Sequence, residues 1–357
     1  SGRTVGPKAA NLGELRRNYP EAVNAGLAIP FGVFRALLDK PIAPERPDSP
    51  SAYDWLNAEY ARLHAITDPA RQREEVRIFL ATLRDWIVRT DPGEEFRMAL
   101  RAAMTEVFGS AYDVGVFVRS DTNVEDLPGF TGAGLNRTVP NVVGFERIVQ
   151  AIQQVWASPF TERAYAWRQA HMPQPQHVYP AVLLLETFPA EKSGVLVTAD
   201  VESGDRHWLS IAVSEGVGGA VEGQAAEELR VRRADGETRL LAQASAPLRA
   251  EAAPGGGIVR VPASGAERVL TEAEIEQLRR LADDVERRFP MPGGDGGLPA
   301  PADIEFGFRD GRLALFQIRP FVESARARRS QYLIGMDRAA VRGADTVVDL
   351  VGVRSEE

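Results

Sequence analysis

The chain has 357 residues, of which 44% are hydrophobic and 26% are charged, so its composition is globular and excludes a disordered, collagen-like or coiled-coil protein. Its formal net charge of −8 argues against broad, charge-driven binding to nucleic acid, and the lack of cysteine excludes disulfides, thiolate zinc sites and cysteine nucleophiles. No apolar run approaches the roughly 20 residues of a membrane span, and the chain begins at Ser1 without a signal-peptide pattern. We therefore expect a cytoplasmic fragment of a longer protein, with two or three lobes and with no nucleic-acid or membrane partner.

The first half of the chain is predicted to be mostly helical. A helix is favoured after Lys8, and apolar residues recur at helical spacing in two further segments, 71–87 and 145–156. The Pro-rich stretch from Pro41 to Pro50 is expected to be a surface loop. These patterns indicate helical structure up to about residue 170.

Strands are predicted mainly in the second half, where short apolar runs are bounded by polar residues or glycine. These runs are Val114–Val118, Pro180–Leu185, Gly194–Thr198, Trp208–Val213, Asp303–Phe308 and Arg312–Ile318. Thr271 and Glu274 predict a capping box at the start of a helix, and Asp310-Gly311 predicts a hairpin. The sum is an α+β protein with at least one antiparallel sheet, followed by an Arg-rich tail beyond about Ser324.

Gly6 and Lys8 stand at the entry to the first predicted helix. The first N–H groups of a helix have no partner within it and its dipole favours an anion there, so a lysine at this place suits phosphate binding. The spacing is not that of a Walker A loop. The alternative is a solvated lysine near a helix start.

A second candidate segment begins where an apolar strand runs into Arg119-Ser120-Asp121. Arginine binds phosphate oxygens in a bidentate manner, and a turn at Thr131-Gly132 lets backbone N–H groups approach an anion. The segment therefore predicts a phosphate site. The alternative is a surface loop in which Arg119 pairs with Asp121 or Glu125.

The two strands of the predicted hairpin carry polar residues at alternate positions. Asp303 and Glu305 share one face of the first strand, and Gln317 and Arg319 share one face of the second. Carboxylate and amide oxygens suit Mg²⁺, which also takes phosphate oxygens and water, and an arginine beside them would neutralise the phosphate. The alternative is a solvated sheet face with an exposed ion pair.

The length of the hairpin loop decides whether these polar residues meet. A two-residue turn at 310–311 pairs Glu305 with Phe316 and separates the polar residues of the two strands. A three-residue loop pairs Asp303 with Gln317 and unites them. The sequence leaves both arrangements open.

Two further segments could contact a ligand. A buried strand that ends in Glu186-Thr187-Phe188 can form an adenine slot, although a core strand that ends at the surface gives the same pattern. The Gly-rich link from Ser214 to Gln224 either approaches a ligand or is a flexible connection. The four histidines lack metal-ligand or catalytic spacing and are interpreted as structural or surface residues. They are His64, His171, His177 and His207.

Together these segments resemble the ATP-binding domain of the dikinase family, which includes phosphoenolpyruvate synthase, pyruvate phosphate dikinase, rifampicin phosphotransferase and the glucan, water dikinases. The resemblance extends over nearly the whole chain, to about Glu323. The most specific segments are Val118–Gly134, Val155–Ser158 with Thr161–Ala164, Lys192–Val195 and Asp303–Pro320. The sequence at 30–34, 132–136 and 138–142 is most similar to the glucan, water dikinase branch.

The resemblance implies an ATP-grasp-like fold with two lobes and mixed or antiparallel sheets. The expected domains are a helix-rich lobe with the Lys and Arg motifs over 1–178, an ATP-grasp-like lobe with the adenine strand and the metal-binding hairpin over 179–323, and a tail over 324–357. Lys8, Arg119 and Arg319 would act on the phosphates of ATP, and Glu305 and Gln317 would hold Mg²⁺. The nucleotide-binding set would be Lys8, Arg119, Thr131, Gly132, Glu186, Thr187, Phe188, Asp303 and Arg319.

The family also implies an activity: the β-phosphate of ATP passes to a histidine on a separate domain, in the same full-length protein or in a partner chain, and then to an acceptor. The similarity to the glucan, water dikinase branch favours a glucan or related carbohydrate as the acceptor. The alternatives are a phosphoenolpyruvate synthase, an antibiotic phosphotransferase or a non-catalytic nucleotide sensor. Two features depart from the family: Pro7, which has no N–H, stands where relatives often carry glycine, and no histidine has the context of the acceptor.

Overall fold

We describe a computed structural model of the chain that covers residues 2–109, 113–124, 137–219, 223–292 and 299–321. Its helices are α1 (Gly2–Val5), α2 (Pro7–Asn18), α3 (Phe31–Leu37), α4 (Ala52–His64), α5 (Pro69–Arg89), α6 (Glu94–Phe108), α7 (Phe145–Ala157), α8 (Glu162–His171) and α9 (Glu272–Arg288). Its strands are β1 (Gly26–Ile29), β2 (Val116–Thr122), β3 (Thr138–Val142), β4 (Pro180–Glu186), β5 (Lys192–Val197), β6 (Trp208–Glu215), β7 (Glu227–Arg232), β8 (Thr238–Ala242), β9 (Leu248–Ala252), β10 (Ile258–Pro262), β11 (Ala302–Arg309) and β12 (Arg312–Pro320).

The strands form three antiparallel sheets. One has four strands in the order β1-β4-β2-β3, one has six in the order β12-β11-β5-β6-β7-β8, and β9 pairs with β10 alone. The predicted α+β class with antiparallel sheets is therefore confirmed.

Strand β4 lies between two hydrophobic cores. Val182 and Leu184 pack into the core formed with helices α3 to α7, whereas Leu183 and Leu185 pack into the core shared with α2, α9 and the six-stranded sheet. Successive side chains of a strand point to opposite faces, so a strand buried on both sides is a continuous apolar run rather than an alternating one. This burial holds the four-stranded sheet between the helices and the second sheet.

The helices with the clearest apolar periodicity are found where they are predicted. Segment 71–87 lies within α5, segment 145–156 lies within α7, and a helix follows Gly6. The predicted capping box at α9 is present: the Thr271 hydroxyl accepts a hydrogen bond from the Glu274 N–H, and the Glu274 carboxylate accepts one from the Thr271 N–H.

Strand β2 extends further than predicted. The apolar run suggests an end at Val118, but the strand continues to Thr122, so Arg119, Ser120 and Asp121 are strand residues and not loop residues. They pair with the central strand β4, which supplies a hydrogen-bonded partner that no local pattern reveals. The fixed strand geometry gives the Arg119 side chain a defined direction.

Residues 1–321 form one unit by their contacts. Strand β4 begins just after residue 178 and pairs with β1 and β2. The division into lobes over 1–178 and 179–323 stays a prediction, and the tail over 324–357 lies outside the described residues. Among the described helices, none combines the length and the apolar character needed to cross a membrane. The cytoplasmic location stays a prediction.

Candidate functional site

A cavity of about 310 Å³ lies where the four-stranded and six-stranded sheets approach each other. Its wall is mostly apolar and aromatic, and Arg119, Glu186 and Glu305 are its charged residues. The lining residues are Phe117, Arg119, Thr138, Leu185, Glu186, Phe188, Ala190, Ser193, Gly194, Val217, Gly218, Glu305, Phe306 and Phe316. A concave apolar wall with a few polar groups is typical of a small-molecule site.

Arg119 connects strand β2 to the β11–β12 hairpin. Its Nη2 donates to Glu305 Oε2 at 2.9 Å and to Gln317 Oε1 at 3.0 Å, while Nη1 donates to the Phe316 carbonyl at 3.0 Å. The Arg119 and Glu305 side chains are only 14% and 16% exposed, so this charge-assisted contact is partly shielded from water. Arg119 thus pairs with the hairpin and stands in a strand and not in a surface loop, while Glu125, one partner in the alternative prediction, lies outside the described residues.

The hairpin has a two-residue turn, and yet its polar residues meet. Asp310 and Gly311 have φ values of 51° and 71°, as in a type I′ turn. A β-bulge inserts Phe316 as an extra residue, so that Glu305 pairs with Gln317. Neither predicted arrangement is correct as stated, because the bulge and not the loop length restores the register.

Beyond the bulge, Asp303 pairs with Arg319 across the two strands. The expected partner of Asp303 in the united arrangement, Gln317, was therefore wrong by two residues. Arg319 Nε donates to Asp303 Oδ2 at 2.8 Å. Alternation along each strand places this ion pair on the same face as Glu305 and Gln317, although neither of its members lines the cavity.

Lys8 lies at the start of α2, beside strand β2, which carries Arg119. Its Nζ donates to the Ser120 carbonyl at 3.3 Å. The backbone N–H of Ala9 donates to Asp121 Oδ2 at 2.9 Å, so a carboxylate already caps this helix start. The expectation that this N–H is available to a phosphate is corrected by the Asp121 contact. Lys8 does not line the cavity, but it contacts the residue next to Arg119.

The predicted adenine segment follows β4 and reaches the cavity through two of its three residues. Glu186 and Phe188 line the cavity, whereas Thr187 does not. The Thr187 backbone N–H donates to the Gly115 carbonyl at 2.8 Å and fixes the chain between them. The Phe188 and Phe316 rings lie 6.0 Å apart at a tilted angle, which gives one flank of the cavity an aromatic wall.

The Gly-rich link after β6 also approaches the cavity. Val217 and Gly218 line it, and the Ser193 hydroxyl donates to the Gly216 carbonyl at 2.7 Å and accepts from the Gly218 N–H at 2.8 Å. Residues 220–222 of the link lie outside the described residues. Ser193 and Gly194 are not among the predicted site residues. The segment Lys192–Val195, one of those that carry the family resemblance, contains both and could have identified them.

The donor set of the hairpin fits Mg²⁺. Glu305 and Gln317 already share one cationic group, the Arg119 guanidinium, so their oxygens converge on a place that accepts positive charge. Within the described ranges, no three His, Cys, Asp or Glu side chains form a metal cluster. One carboxylate and one amide match a cation that keeps several waters and takes phosphate oxygens from a nucleotide.

The remaining predictions concern two loop residues and the four histidines. Thr131 and Gly132 lie outside the described residues, so their role stays a prediction. The four histidines do not line the cavity. The His171 Nδ1 contacts the Trp167 carbonyl at 2.8 Å, and the His207 Nδ1 contacts Asp205 at 2.8 Å, which agrees with structural or surface roles.

Comparisons with known proteins identify the family. The profile of the pyruvate phosphate dikinase AMP/ATP-binding domain matches residues 2–336. A rifampicin phosphotransferase from a Streptomyces species is 31% identical over 88% of this chain and 34% of its own length. A probable phosphoenolpyruvate synthase from Archaeoglobus fulgidus is 29% identical over 88% of this chain and 39% of its own length. The D-alanine–D-alanine ligase structure from Bacillus anthracis aligns with 68% of this chain and 61% of its own at a TM-score of 0.23 and 9% identity.

These findings confirm the predicted dikinase-type family, of which the matching profile describes the AMP/ATP-binding domain. The chain spans only about a third to two fifths of the length of the two curated relatives. Their names do not support the predicted preference for the glucan, water dikinase branch. The matched residues include β2, the adenine segment and the β11–β12 hairpin. The chain belongs to the pyruvate phosphate dikinase AMP/ATP-binding domain family.

Proposed function

We propose that this chain binds ATP with the base in the cavity and the phosphates between Arg119, Lys8 and Arg319, and that it serves as the phosphoryl donor of a larger phosphotransferase. The observation that carries the proposal is the position of Arg119. It lines the apolar cavity and at the same time contacts both predicted metal ligands of the hairpin. Arg119 thereby connects the proposed site for the base to the proposed site for the phosphates and the metal.

The cavity has the chemistry that an adenine ring needs. Its volume of about 310 Å³ is at the lower end of small-molecule sites, so it suits a base and part of a ribose better than a complete triphosphate. Leu185, Phe188 and Phe316 offer apolar faces to a flat ring. The chain at Glu186 lies at the wall, and its N–H already donates to the Ala25 carbonyl at 2.8 Å. The Glu186 carbonyl also accepts from Asn24 at 3.4 Å but has a second lone pair, so it is the backbone group proposed to accept from the edge of the base.

The phosphates would then meet the cationic residues around Arg119. A guanidinium binds phosphate oxygens with two parallel N–H donors, and Lys8 at the start of α2 and Arg319 on β12 add further positive charge. When bound, Mg²⁺ would neutralise charge on the phosphate oxygens, and Glu305 and Gln317 would hold it. Phosphoryl transfer depends mainly on such positioning and charge neutralisation.

The phosphate acceptor would be a histidine outside this site, because His64, His171, His177 and His207 do not line the cavity. In the proposed reaction, a histidine nitrogen bonds to the β-phosphorus, AMP leaves, and water takes the γ-phosphate. The greater length of the relatives leaves room for a domain that carries this histidine. A phosphohistidine domain in the same protein or in a partner chain is therefore part of the proposal.

The final acceptor is proposed from the relatives. Their printed names favour an antibiotic phosphotransferase or a phosphoenolpyruvate synthase over a glucan-phosphorylating enzyme. A rifamycin-type antibiotic and pyruvate are thus the first acceptors to test, with a glucan as the third. A non-catalytic ATP sensor is the remaining alternative.

Calorimetric titration of the 357-residue chain with ATP, with and without Mg²⁺, tests nucleotide binding. We expect binding that strengthens with Mg²⁺ and weakens by about tenfold or more in Arg119→Ala, because a charge-assisted contact to phosphate is lost. Arg77→Ala is the matched control, since Arg77 forms an exposed pair with Glu74 on α5. Equal affinities for all three proteins would contradict the proposed site.

Catalysis is tested in the longer protein with ATP labelled in either the β- or the γ-phosphate. The proposal expects label in protein from β-labelled ATP and label in inorganic phosphate from γ-labelled ATP. A sensor would bind ATP and transfer neither. Label in protein only from the γ-phosphate, which acid-stable phosphate analysis would detect on a hydroxyl residue, would exclude the histidine route.

A further inference from the structure

Asp121 forms an unusual connection between strand β2 and the start of helix α2. It is fully buried, and its Oδ2 accepts a hydrogen bond from the Ala9 N–H at 2.9 Å. Ala9 is the third residue of α2, the position whose N–H an N-cap side chain ordinarily satisfies. The N-cap of this helix is Gly6, which has no side chain, so Asp121, 112 positions after Ala9 in the sequence, takes over the capping.

The chain at Gly6 is shaped around that carboxylate. A Cβ placed on Gly6 would lie 2.2 Å from Asp121 Cγ, and the Gly6 φ of +88° is one that other residues rarely adopt. Pro7, the first helical residue, has no N–H that would need a partner. The local sequence therefore leaves room for the Asp121 carboxylate at the helix start. The negative charge is stabilised there by the positive end of the helix dipole.

The same stretch of strand fixes both predicted phosphate-binding cations. Arg119 and Asp121 are two residues apart in β2, so their side chains leave the strand on the same face. Between them, the Ser120 carbonyl accepts a hydrogen bond from Lys8 Nζ at 3.3 Å. Asp121 thus holds the backbone that carries Lys8, beside the strand residue that carries the guanidinium.

We infer that Asp121 is a positioning residue that sets Lys8 relative to Arg119 for the phosphates of ATP; this inference rests on the proposed function. The change in ATP affinity that this role predicts for loss of Asp121 is opposite to the change that electrostatic repulsion alone predicts. A carboxylate close to phosphate groups repels them, so charge alone predicts that loss of Asp121 tightens ATP binding. Positioning predicts the opposite, because Lys8 loses its fixed place when the Ala9 contact is removed.

The test is a double-mutant cycle on the 357-residue chain, read by calorimetric titration with ATP. The proteins are the wild type, Lys8→Ala, Asp121→Ala and the double variant. We expect Asp121→Ala to weaken ATP binding by about tenfold when Lys8 is present and by less than about twofold when Lys8 is already replaced. Adenosine, which has no phosphate, is expected to bind all four proteins equally.

Asp121→Asn provides the conservative variant. The amide oxygen can still accept the Ala9 N–H, so we expect ATP affinity within about threefold of the wild type. If Asp121→Ala does not fold, Asp121→Asn still tests the inference, because a loss of ATP affinity well beyond threefold in a variant that keeps the Ala9 contact would overturn positioning through that contact.

The outcomes separate the inference from the proposed function. A loss of ATP affinity that is the same with and without Lys8, or a gain of affinity in Asp121→Ala, overturns the positioning role while leaving ATP binding in place. A parallel loss of adenosine binding shows a general structural defect and also overturns it. A wild-type chain that does not bind ATP overturns both.

Discussion

The Nη2 of Arg119 lies 2.9 Å from Oε2 of Glu305, and the same nitrogen lies 3.0 Å from the side-chain oxygen of Gln317. The guanidinium therefore holds the two side chains that are proposed to bind Mg²⁺. A cation that binds Glu305 and Gln317 has to replace these contacts, and a triphosphate that draws Arg119 away would promote that exchange. Nucleotide and metal are thus expected to bind interdependently.

Arg119→Ala should make the folded chain responsive to Mg²⁺ alone. Removal of the guanidinium leaves a mostly buried carboxylate without its cation, which costs about 2–4 kcal/mol of unfolding free energy. Mg²⁺ should restore part of that loss, so the melting temperature of the variant is expected to rise by about 2 °C or more with Mg²⁺, while that of the wild type changes less. Differential scanning fluorimetry over a Mg²⁺ series measures this shift.

Arg230→Ala is the matched control for that experiment. Arg230 pairs with the buried Asp200 in the six-stranded sheet, and neither residue lines the cavity. Removal of Arg230 also leaves a carboxylate, that of Asp200, without its arginine. Unlike Glu305, this carboxylate does not share its arginine with an amide such as Gln317. An equal Mg²⁺ response in both variants would show general carboxylate binding and would contradict a specific site at Glu305.

Glu305→Gln and Asp303→Asn should separate two carboxylates on one strand. Glu305→Gln is expected to remove most of the Mg²⁺ dependence of ATP binding, because a neutral amide is a much weaker partner for Mg²⁺ than a carboxylate. Asp303→Asn should keep that dependence within about threefold, since Asp303 contacts Arg319 and does not line the cavity. ATP titrations at several Mg²⁺ concentrations measure both, and the reverse order of effects would exchange their roles.

Gly307→Ala should destabilise the chain and disturb the cavity wall. A Cβ at Gly307 would lie 2.7 Å from the Phe316 ring and 3.1 Å from Ala190 Cβ, so the ring must shift. Such overpacking costs about 1–3 kcal/mol, which urea unfolding measures. Gly13→Ala is the control, because nothing lies within 4 Å of a Cβ there and the residue is helical. It should stabilise by up to about 1 kcal/mol, and equal effects of the two changes would contradict the packing described.

Asp200 should contribute to acid sensitivity. Burial raises the pKa of Asp200, but the hydrogen bonds from Ser203 and Arg230 outweigh it and hold the pKa below the ordinary value of 3.8. A lowered pKa in the folded state gives stability that is present above pH 3.8 and is lost as the pH falls through the lowered value. The destabilisation by Asp200→Asn should therefore be larger at pH 7 than at pH 3 in urea unfolding, and a pH-independent difference would contradict this.

The sequence predicts elements well where one face carries a strong apolar pattern. Helices α5 and α7 and strand β4 are of this kind. Six strands were missed: β1, β3, β7, β8, β9 and β10. In β8 and β10 most residues are exposed or half-buried and present no alternation of buried and exposed positions. Their pairing with neighbouring strands, and not their own side chains, keeps them extended.

The candidate site was predicted in its residue types but not in its register. Arg119, Glu186, Phe188 and Glu305 meet at one cavity, as the polar and aromatic pattern suggests. The bulge at Phe316 and the capping of α2 by a residue of β2 were not predicted. The capping depends on a contact between segments that are distant in sequence, and the bulge depends on the register in which two strands pair. Local residue spacing encodes neither of them.

The bulge at Phe316 has a consequence for variation within this hairpin. It lies between the turn and the pairs that Glu305 and Asp303 make, so it separates the geometry of the loop tip from the alignment of the functional side chains. A one-residue insertion at the tip could be absorbed by deletion of Phe316, with the carboxylate still opposite the amide. The pairing of the carboxylate with the amide therefore depends on the bulge and not on the shape of the loop tip.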